Sequence, residues 1–259
     1  HRPEQLRSML RTIESLGLGY TMNEELASIV HSLLGIDIEE EKIFHHLPHF
    51  TGDDVVVTYG GDGTLLEAVG MLGGRPTPVV GINCGRLGYL TADDGDGIEL
   101  LFERIADREL SFEHRSMLRI EGDFIGDNNC LALNEVAIHR HGATMVSVET
   151  LINGNTVATY HGDGLVVSTP TGSTAYSLSA GGPVVDPACR CFVLSPLAPH
   201  NLTMRPVVVP DSSHITLRLN SRAGEAFLSA DNRTFTLHDG ATITLKLATE
   251  ELILATPHN

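Results

Sequence analysis

The stretch Asp54-Val55-Val56-Val57-Thr58-Tyr59-Gly60-Gly61-Asp62-Gly63-Thr64-Leu65-Leu66-Glu67-Ala68-Val69 decides the fold of this chain. Its first half is a β-branched run suited to a buried strand, and its last six residues have helical composition. The glycines between them therefore stand at a strand-to-helix junction. Glycine there lets the backbone approach a ligand and take conformations closed to other residues, while unpaired N–H groups at a helix start favour an anion. Phosphate is the natural candidate. Asp62 is the odd member, because a carboxylate among those amides repels phosphate unless a proton, a metal ion or an attacking hydroxyl lies between them. Taken alone, the loop is equally a tight turn with a helix-starting Thr64.

A second loop shifts that balance. Leu165-Val166-Val167-Ser168 predicts another strand, and Ser173-Thr174-Ala175-Tyr176-Ser177-Leu178-Ser179-Ala180 a short helix closed by Gly181-Gly182-Pro183. Between them, Pro170 keeps Thr169 extended, and several hydroxyls converge with the amides around Gly172 on one helix start. Two anion-tolerant loops in one chain suit a reaction between two phosphate-bearing molecules.

Outward from these loops the chain changes style. Leu6, Met9, Leu10, Ile13 and Leu16 recur at helical spacing before Gly17, and Leu26, Ile29, Val30, Leu33 and Leu34 repeat the pattern between Asn23 and Gly35. Strands, including Pro78-Val79-Val80-Gly81-Ile82-Asn83, then alternate with helices to Arg108, which predicts an α/β domain with a mostly parallel sheet and ligands beyond its strands' carboxyl ends. From Phe112 the chain turns β-rich. Asn153-Gly154-Asn155 marks a hairpin, and Ile215-Leu217-Leu219 and Ile243-Leu245-Leu247 alternate strictly.

Gly60 to Thr64, Asn134-Glu135, Asp163-Gly164 and the run from Thr169 to Gly182 resemble, in the same order, the signature set of the NAD kinase family. The first loop is shared with lipid kinases of the diacylglycerol and sphingosine type; the Thr169 to Tyr176 run narrows the match. The resemblance implies transfer of the ATP γ-phosphoryl group, with Mg²⁺, to the 2'-hydroxyl of the adenosine ribose of NAD. It implies Asp62 as the catalytic residue, either taking the hydroxyl proton or holding Mg²⁺ through water. Gly61, Gly63 and Thr64 would lie along phosphates, and Asn134 and Glu135 would meet the adenosine, as an amide suits a base edge and a carboxylate suits ribose hydroxyls. Asp163, Thr171, Thr174, Ala175, Tyr176 and Ser179 match positions lining the dinucleotide pocket. Tyr89, in Gly85-Arg86-Leu87-Gly88-Tyr89-Leu90, stacks on a base or plugs the core; Tyr176 lines the pocket or packs in the core with its hydroxyl on nearby backbone. Asp231 and Asn232 match a late family position at which many members have glycine in place of Asn232. From the residues alone, Glu135 reads as an edge-strand charge.

The same likeness implies an α/β nucleotide-binding domain over residues 1–110, a β-rich NAD-binding and oligomerising domain over 111–240, and a segment over 241–259 returning to the first. It also implies a homodimer or homotetramer. Family members open with a strand that this chain, beginning at His1 in a helix-like run, does not show, so an incomplete start is expected; residues 35–50 match no motif. Two rivals stay open: a lipid kinase, which needs an acyl site, and a non-catalytic dinucleotide-binding regulator.

Composition bounds the rest. A formal net charge of −16 and no Lys/Arg cluster exclude a nucleic-acid partner, whose binding needs a basic face. Anionic substrates then depend on local dipoles, on sparse cations such as Arg86 or Arg205, and on Mg²⁺. With 42% hydrophobic residues the chain fills one large domain or two, and no apolar run reaches membrane-span length. Cys84, Cys130, Cys189 and Cys191 lack zinc or disulfide spacing and read as free thiols of a cytoplasmic protein. His45-His46-Leu47-Pro48-His49 reads as a solvated loop, because Pro48 spoils helical ligand spacing.

Overall fold

The computed structural model describes residues 2–84, 90, 97–125 and 130–257, and the chain divides into two compact units. The first unit holds residues 1–72, 77–113 and 253–259. It begins with α1 (Pro3–Ser15), whose Pro3 suits a first helical position and whose Leu6, Met9, Leu10 and Ile13 are buried on one face. After β1 (Met22–Asn23) comes α2 (Glu24–Leu34). Its start is capped by the Asn23 side chain, which accepts from the Leu26 N–H, and its end by Gly35 in the left-handed region. A short parallel pair forms between β1 and β2 (Ile43–Phe44).

The unit's sheet is parallel. β3 (Val56–Gly60) is followed by α3 (Asp62–Leu72), β4 (Val79–Asn83) and α4 (Ile98–Ala106). β4 lies between β3 and the end of the chain's last strand, with Val56 opposite Val79 and Leu254 opposite Val79 on the other side. Every residue of β4 is buried, as expected of a parallel strand covered on both faces. The core gathers Leu6, Val30, Tyr59, Val80, Ile82, Phe102 and Ala255.

The second unit is residues 73–76 and 114–252. Along the chain come β5 (Leu110–Glu121), β6 (Cys130–Ala132), β7 (Glu135–Arg140), β8 (Val146–Ile152), β9 (Asn155–Gly162) and β10 (Gly164–Ser168). Then follow α5 (Tyr176–Ser179), β11 (Cys191–Leu197), β12 (Val207–Pro210), β13 (Ile215–Ser221), β14 (Glu225–Ala230), β15 (Arg233–His238) and β16 (Thr242–Pro257). Six strands form an antiparallel sheet in the order β12-β11-β10-β7-β14-β15, and β16, β13, β8 and β9 are neighbours in a second. The Asn153-Gly154 signal makes the β8–β9 hairpin, with both residues at positive φ, 51° and 81°.

One face of the six-stranded sheet carries Val136, Ile138, Leu165, Val167, Phe192, Leu194 and Leu228 into a core shared with Val148, Ile215, Leu217, Ile243 and Leu245 of the second sheet. Because strand side chains alternate, the opposite face carries the intervening residues. On β7 these are Glu135, Ala137 and His139; their register partners on β10 are Ser168, Val166 and Gly164. This second face is where polar side chains collect.

The predicted helix over Ser173–Ala180 is two pieces. Thr171–Thr174 forms a 3₁₀ turn, and α5 begins at Tyr176 after Ala175 leaves helical geometry at φ −97°, ψ −125°. Glu135, read from sequence as an edge-strand charge, sits on an interior strand: β7 is flanked by β10 and β14. Its charge is therefore not a device for protecting an edge. Among the described residues no helix is long and apolar enough to cross a membrane.

Candidate active site

In the first unit the glycine loop is short and tight. Gly60 ends β3, Asp62 begins α3, and the N–H groups of Thr64 and Leu65 point back to the Gly61 carbonyl at 3.1 and 3.3 Å. A Cβ on Gly60 would sit 2.1 Å from the Thr64 hydroxyl oxygen, so glycine here lets the Thr64 side chain fold against the strand end. Gly61 and Gly63 differ. A Cβ on either meets nothing within 4 Å among the described residues, so packing against these does not require glycine. The Asp62 carboxylate is half-buried and accepts from the backbone N–H of Leu90 at 3.2 Å, which fixes its direction at the helix start. Tyr89 and Arg86 lie outside the described residues.

A cavity of about 790 Å³ runs along β3, walled by Met9, Leu10, Ile13, Val55 and Met71 with Thr64 at its rim. Its charged lining residues are Glu25, Asp53, Asp54 and Glu67. A mostly apolar space with acidic margins does not attract a triphosphate.

In the second unit the site is built where the polar sheet face meets the second loop. The chain breaks between β6 and β7 at Leu133 and Asn134, and both sides of the break are satisfied by residues distant in sequence. The Thr169 hydroxyl donates to the Leu133 carbonyl at 2.5 Å, and the Thr169 N–H donates to the Asn134 carbonyl at 2.9 Å. From the other side the Asp231 carboxylate accepts from the N–H groups of Leu133, Asn134 and Glu135 at 2.8, 2.8 and 3.2 Å. Gly172 lies against this break: a Cβ there would be 1.9 Å from the Asn134 carbonyl oxygen. Thr171 is buried next to it, and its carbonyl accepts from the Thr174 hydroxyl at 3.3 Å.

Tyr176, half-buried on α5, stacks on the His139 ring with centroids 5.5 Å apart and planes 15° from parallel. Its hydroxyl lies 3.5 Å from His139 Nδ1, and His139 Nε2 is 3.0 Å from the Ser229 hydroxyl. The hydroxyl thus meets a ring nitrogen, in place of the backbone group considered from sequence. Burial, with Asp163 and Glu135 nearby, raises the tyrosine's pKa, and burial lowers that of His139, keeping both neutral near neutral pH. Asp163 is paired with Arg140 at 2.6 Å. Ala175 is half-buried, whereas Ser179 and Asn232 are exposed.

Glu135 is the electrostatic oddity. Burial, reinforced by the Asp231 charge and only partly offset by the Tyr176 backbone N–H, raises its pKa from 4.5 to about 7. Its Oε2 is sealed from solvent without a hydrogen-bond partner among the described residues. The Ser168 hydroxyl, directly opposite on β10, is in the same condition. Two orphaned polar atoms side by side on one face are costly unless something supplies a donor and an acceptor between them.

Of the residues singled out from sequence, Asn134, Glu135 and Asp231 are joined by hydrogen bonds at the β6–β7 break, with Thr171 and Tyr176 on the adjoining loop. Thr169, Ser168 and His139, which the sequence reading assigned no role, lie against these residues. Thr169 could have been found from Thr-Pro at a strand end; a single histidine in an alternating strand gives no such signal. Among the described residues no group of three or more His, Cys, Asp and Glu side chains is arranged to hold a metal ion, and Cys130, Cys189 and Cys191 are free thiols.

Known proteins match the chain over both units. Residues 10–110 match the ATP-NAD kinase N-terminal domain and residues 133–255 the ATP-NAD kinase C-terminal domain. The NAD kinase of Porphyromonas gingivalis is 39% identical over 265 residues, covering 100% of this chain and 91% of that protein. A yeast NADH kinase crystallised with NADH superposes with a TM-score of 0.84 at 26% identity, covering 99% of this chain and 80% of that one. An Archaeoglobus fulgidus NAD kinase in complex with ATP gives 0.71 at 29% identity, covering 92% and 93%. The second matched region includes the Thr169 to Tyr176 run, which decides between the kinase classes that the first loop left open. The chain belongs to the NAD kinase family, and it is a phosphotransferase with that family's NAD kinase function.

Proposed function

We propose that Asp62 is the general base of the reaction and that the second unit binds the adenosine half of NAD through Asn134, Glu135 and Tyr176. In the reaction the 2'-hydroxyl oxygen forms a bond to the γ-phosphorus of ATP, the bond from that phosphorus to the β,γ-bridging oxygen breaks, and ADP leaves. The hydroxyl proton passes to the Asp62 carboxylate. Phosphoryl transfer is governed mainly by alignment and charge, so one well-aimed carboxylate is enough side-chain chemistry. The observation that carries this reading is the Asp62 carboxylate at the start of α3, behind two glycines with open space and held by the Leu90 N–H.

Gly61, Gly63 and Thr64 border the triphosphate, where helix-start N–H groups favour anionic oxygens. Mg²⁺ would enter with ATP on the substrate phosphates and would neutralise their charge there, leaving the Asp62 carboxylate to take the proton. Thr171, Thr174, Ala175, Ser179, Asp163 and Asn232 complete the dinucleotide-binding wall. Exposed Val207 and Val208 on the outer strand β12, beside Leu202 at 84% exposure, support a homodimer or homotetramer assembled through the second unit. Free thiols suit a cytoplasmic location.

Incubation of the purified chain with ATP, Mg²⁺ and NAD, with parallel NADH and diacylglycerol arms, tests the reading. NADP is the expected product. Tight NAD binding without product makes the chain a regulator, and phosphatidic acid would assign the apolar cavity to a lipid tail. A monomer by light scattering would overturn the assembly.

A further inference from the structure

We infer that Asp231 is a positioning residue for the acceptor site: its carboxylate holds the Leu133–Glu135 backbone in the broken-strand conformation that presents Asn134 and Glu135, without itself touching the dinucleotide. The inference rests on the reading that those two side chains bind adenosine.

Three observations support it. First, the carboxylate is fully engaged, accepting three consecutive N–H groups at 2.8, 2.8 and 3.2 Å. Those N–H groups belong to a segment 96 to 98 residues earlier in the chain, at the junction where strand pairing lapses between β6 and β7. Buried backbone donors there need an acceptor that no neighbouring strand provides. Second, Asp231 stands at φ 51°, left-handed geometry in the β14–β15 turn. A non-glycine residue carries a conformational cost in that region, and here the carboxylate supplies the compensation. Third, the turn is tied back to the same segment, because the Asp231 N–H donates to the Glu135 carbonyl at 3.0 Å. With Thr169 holding the carbonyls of Leu133 and Asn134 from the loop side, the break is clamped on both faces.

The clamp has an electrostatic consequence. Glu135 is faced by Asp231 from the β14–β15 turn, with Arg233 next to Asp231, and by the Tyr176 backbone N–H from the loop side; Tyr176 in turn is near the Asp163 charge and stacks on His139. Of these, the Asp231 charge reinforces burial in making Glu135 hard to ionise. Removing that charge therefore lets Glu135 ionise at lower pH.

Asp231→Asn keeps the size of the side chain and leaves one strong acceptor for three donors. Without any ligand, hydrogen exchange of the Leu133, Asn134 and Glu135 amides should accelerate at least tenfold in this variant, with the rest of the β-rich unit unchanged. KM for NAD should rise at least tenfold, with kcat and KM for ATP held within a few-fold. The inflection in the pH profile of KM for NAD should also move to lower pH, which a loss of folding alone would not do. Unchanged ligand-free exchange beside a raised KM would make Asp231 a direct ligand contact and overturn the inference; so would a wild-type KM. If the variant fails to fold, exchange in the wild-type protein decides: rapid exchange of those three amides overturns the clamp. Glu135→Gln serves as the control, since a wild-type KM for NAD in that variant defeats the underlying reading of the site and leaves the exchange result for Asp231 standing.

Discussion

The two glycine-bearing loops are built in opposite ways. In the first, Gly61 and Gly63 face open space among the described residues, and the Asp62 carboxylate is half-exposed at a helix start. In the second, Thr169, Thr171, Gly172 and Ser173 are buried, and the backbone is wedged against Asn134 so closely that a Cβ would come within 1.9 Å of its carbonyl oxygen. The first loop has room left for something to arrive. The second is already packed, and its job is to hold other residues in place. Substitutions should therefore separate cleanly: changes in the first alter kinetics with little effect on folding, and changes in the second alter folding and binding together.

Asp62→Asn is the most severe test on the open side. It preserves shape and can still accept the Leu90 N–H, but it cannot take a proton. General-base assistance is worth about 10²- to 10⁴-fold, so kcat should fall by that range while the NAD dissociation constant and melting temperature stay at wild-type values. Wild-type-like turnover in a steady-state assay would remove Asp62 from the mechanism.

On the packed side, Gly172→Ala should cost about 1–3 kcal/mol or more, since backbone must move to admit the methyl group. Thermal unfolding reads the loss, and KM for NAD should rise with it because Asn134 is the group displaced. Gly61→Ala sharpens the contrast. The free protein offers its methyl group open space, so the melting temperature should hold and any penalty should fall on KM for ATP alone. A large destabilisation by Gly61→Ala, or none by Gly172→Ala, would erase the distinction between the loops.

The same contrast explains what could be read from sequence. The open loop is local: strand, glycines and helix follow one another, so Val56–Gly60 and Asp62–Leu72 were legible from one stretch, as were the Asn23 and Gly35 caps and the Asn153-Gly154 turn. The packed loop is assembled from distance. The break at Leu133 and Asn134 is satisfied by Thr169 and Asp231, 36 and 98 residues away from Leu133, and no local pattern announces it. The continuous helix expected over Ser173–Ala180 failed for a related reason, since Gly172 and Ser173 answer to Asn134 and to Val185, whose N–H donates to the Ser173 hydroxyl at 2.9 Å. His139 became a site residue only once Tyr176 was seen lying on it.

The smallest effect tests the electrostatics of the packed side. Two glutamates of the second unit are shifted in opposite directions: Glu250, hydrogen-bonded to Arg119, is held at about 2, while Glu135, buried beside Asp231, is raised to about 7. If the ionised Glu135 is the form that accepts ribose hydroxyls, the binding-competent fraction grows as pH rises through 7, and KM for NAD should be about tenfold higher at pH 6 than at pH 8. Stability runs the other way. A carboxyl whose folded pKa is raised above its unfolded value near 4.5 keeps its proton longer in the folded state, so stability is lost between about pH 4.5 and 7 and levels off above. Glu135→Gln cannot ionise and should be spared that loss, so its stability relative to wild type should improve as pH rises across this window, by an amount on the order of a few kcal/mol. Parallel urea titrations of both proteins at pH 5 and pH 8 measure the difference. An unchanged gap between them would mean that the pair of buried acids is relieved by some route other than the proton, and that Glu135 enters binding already charged.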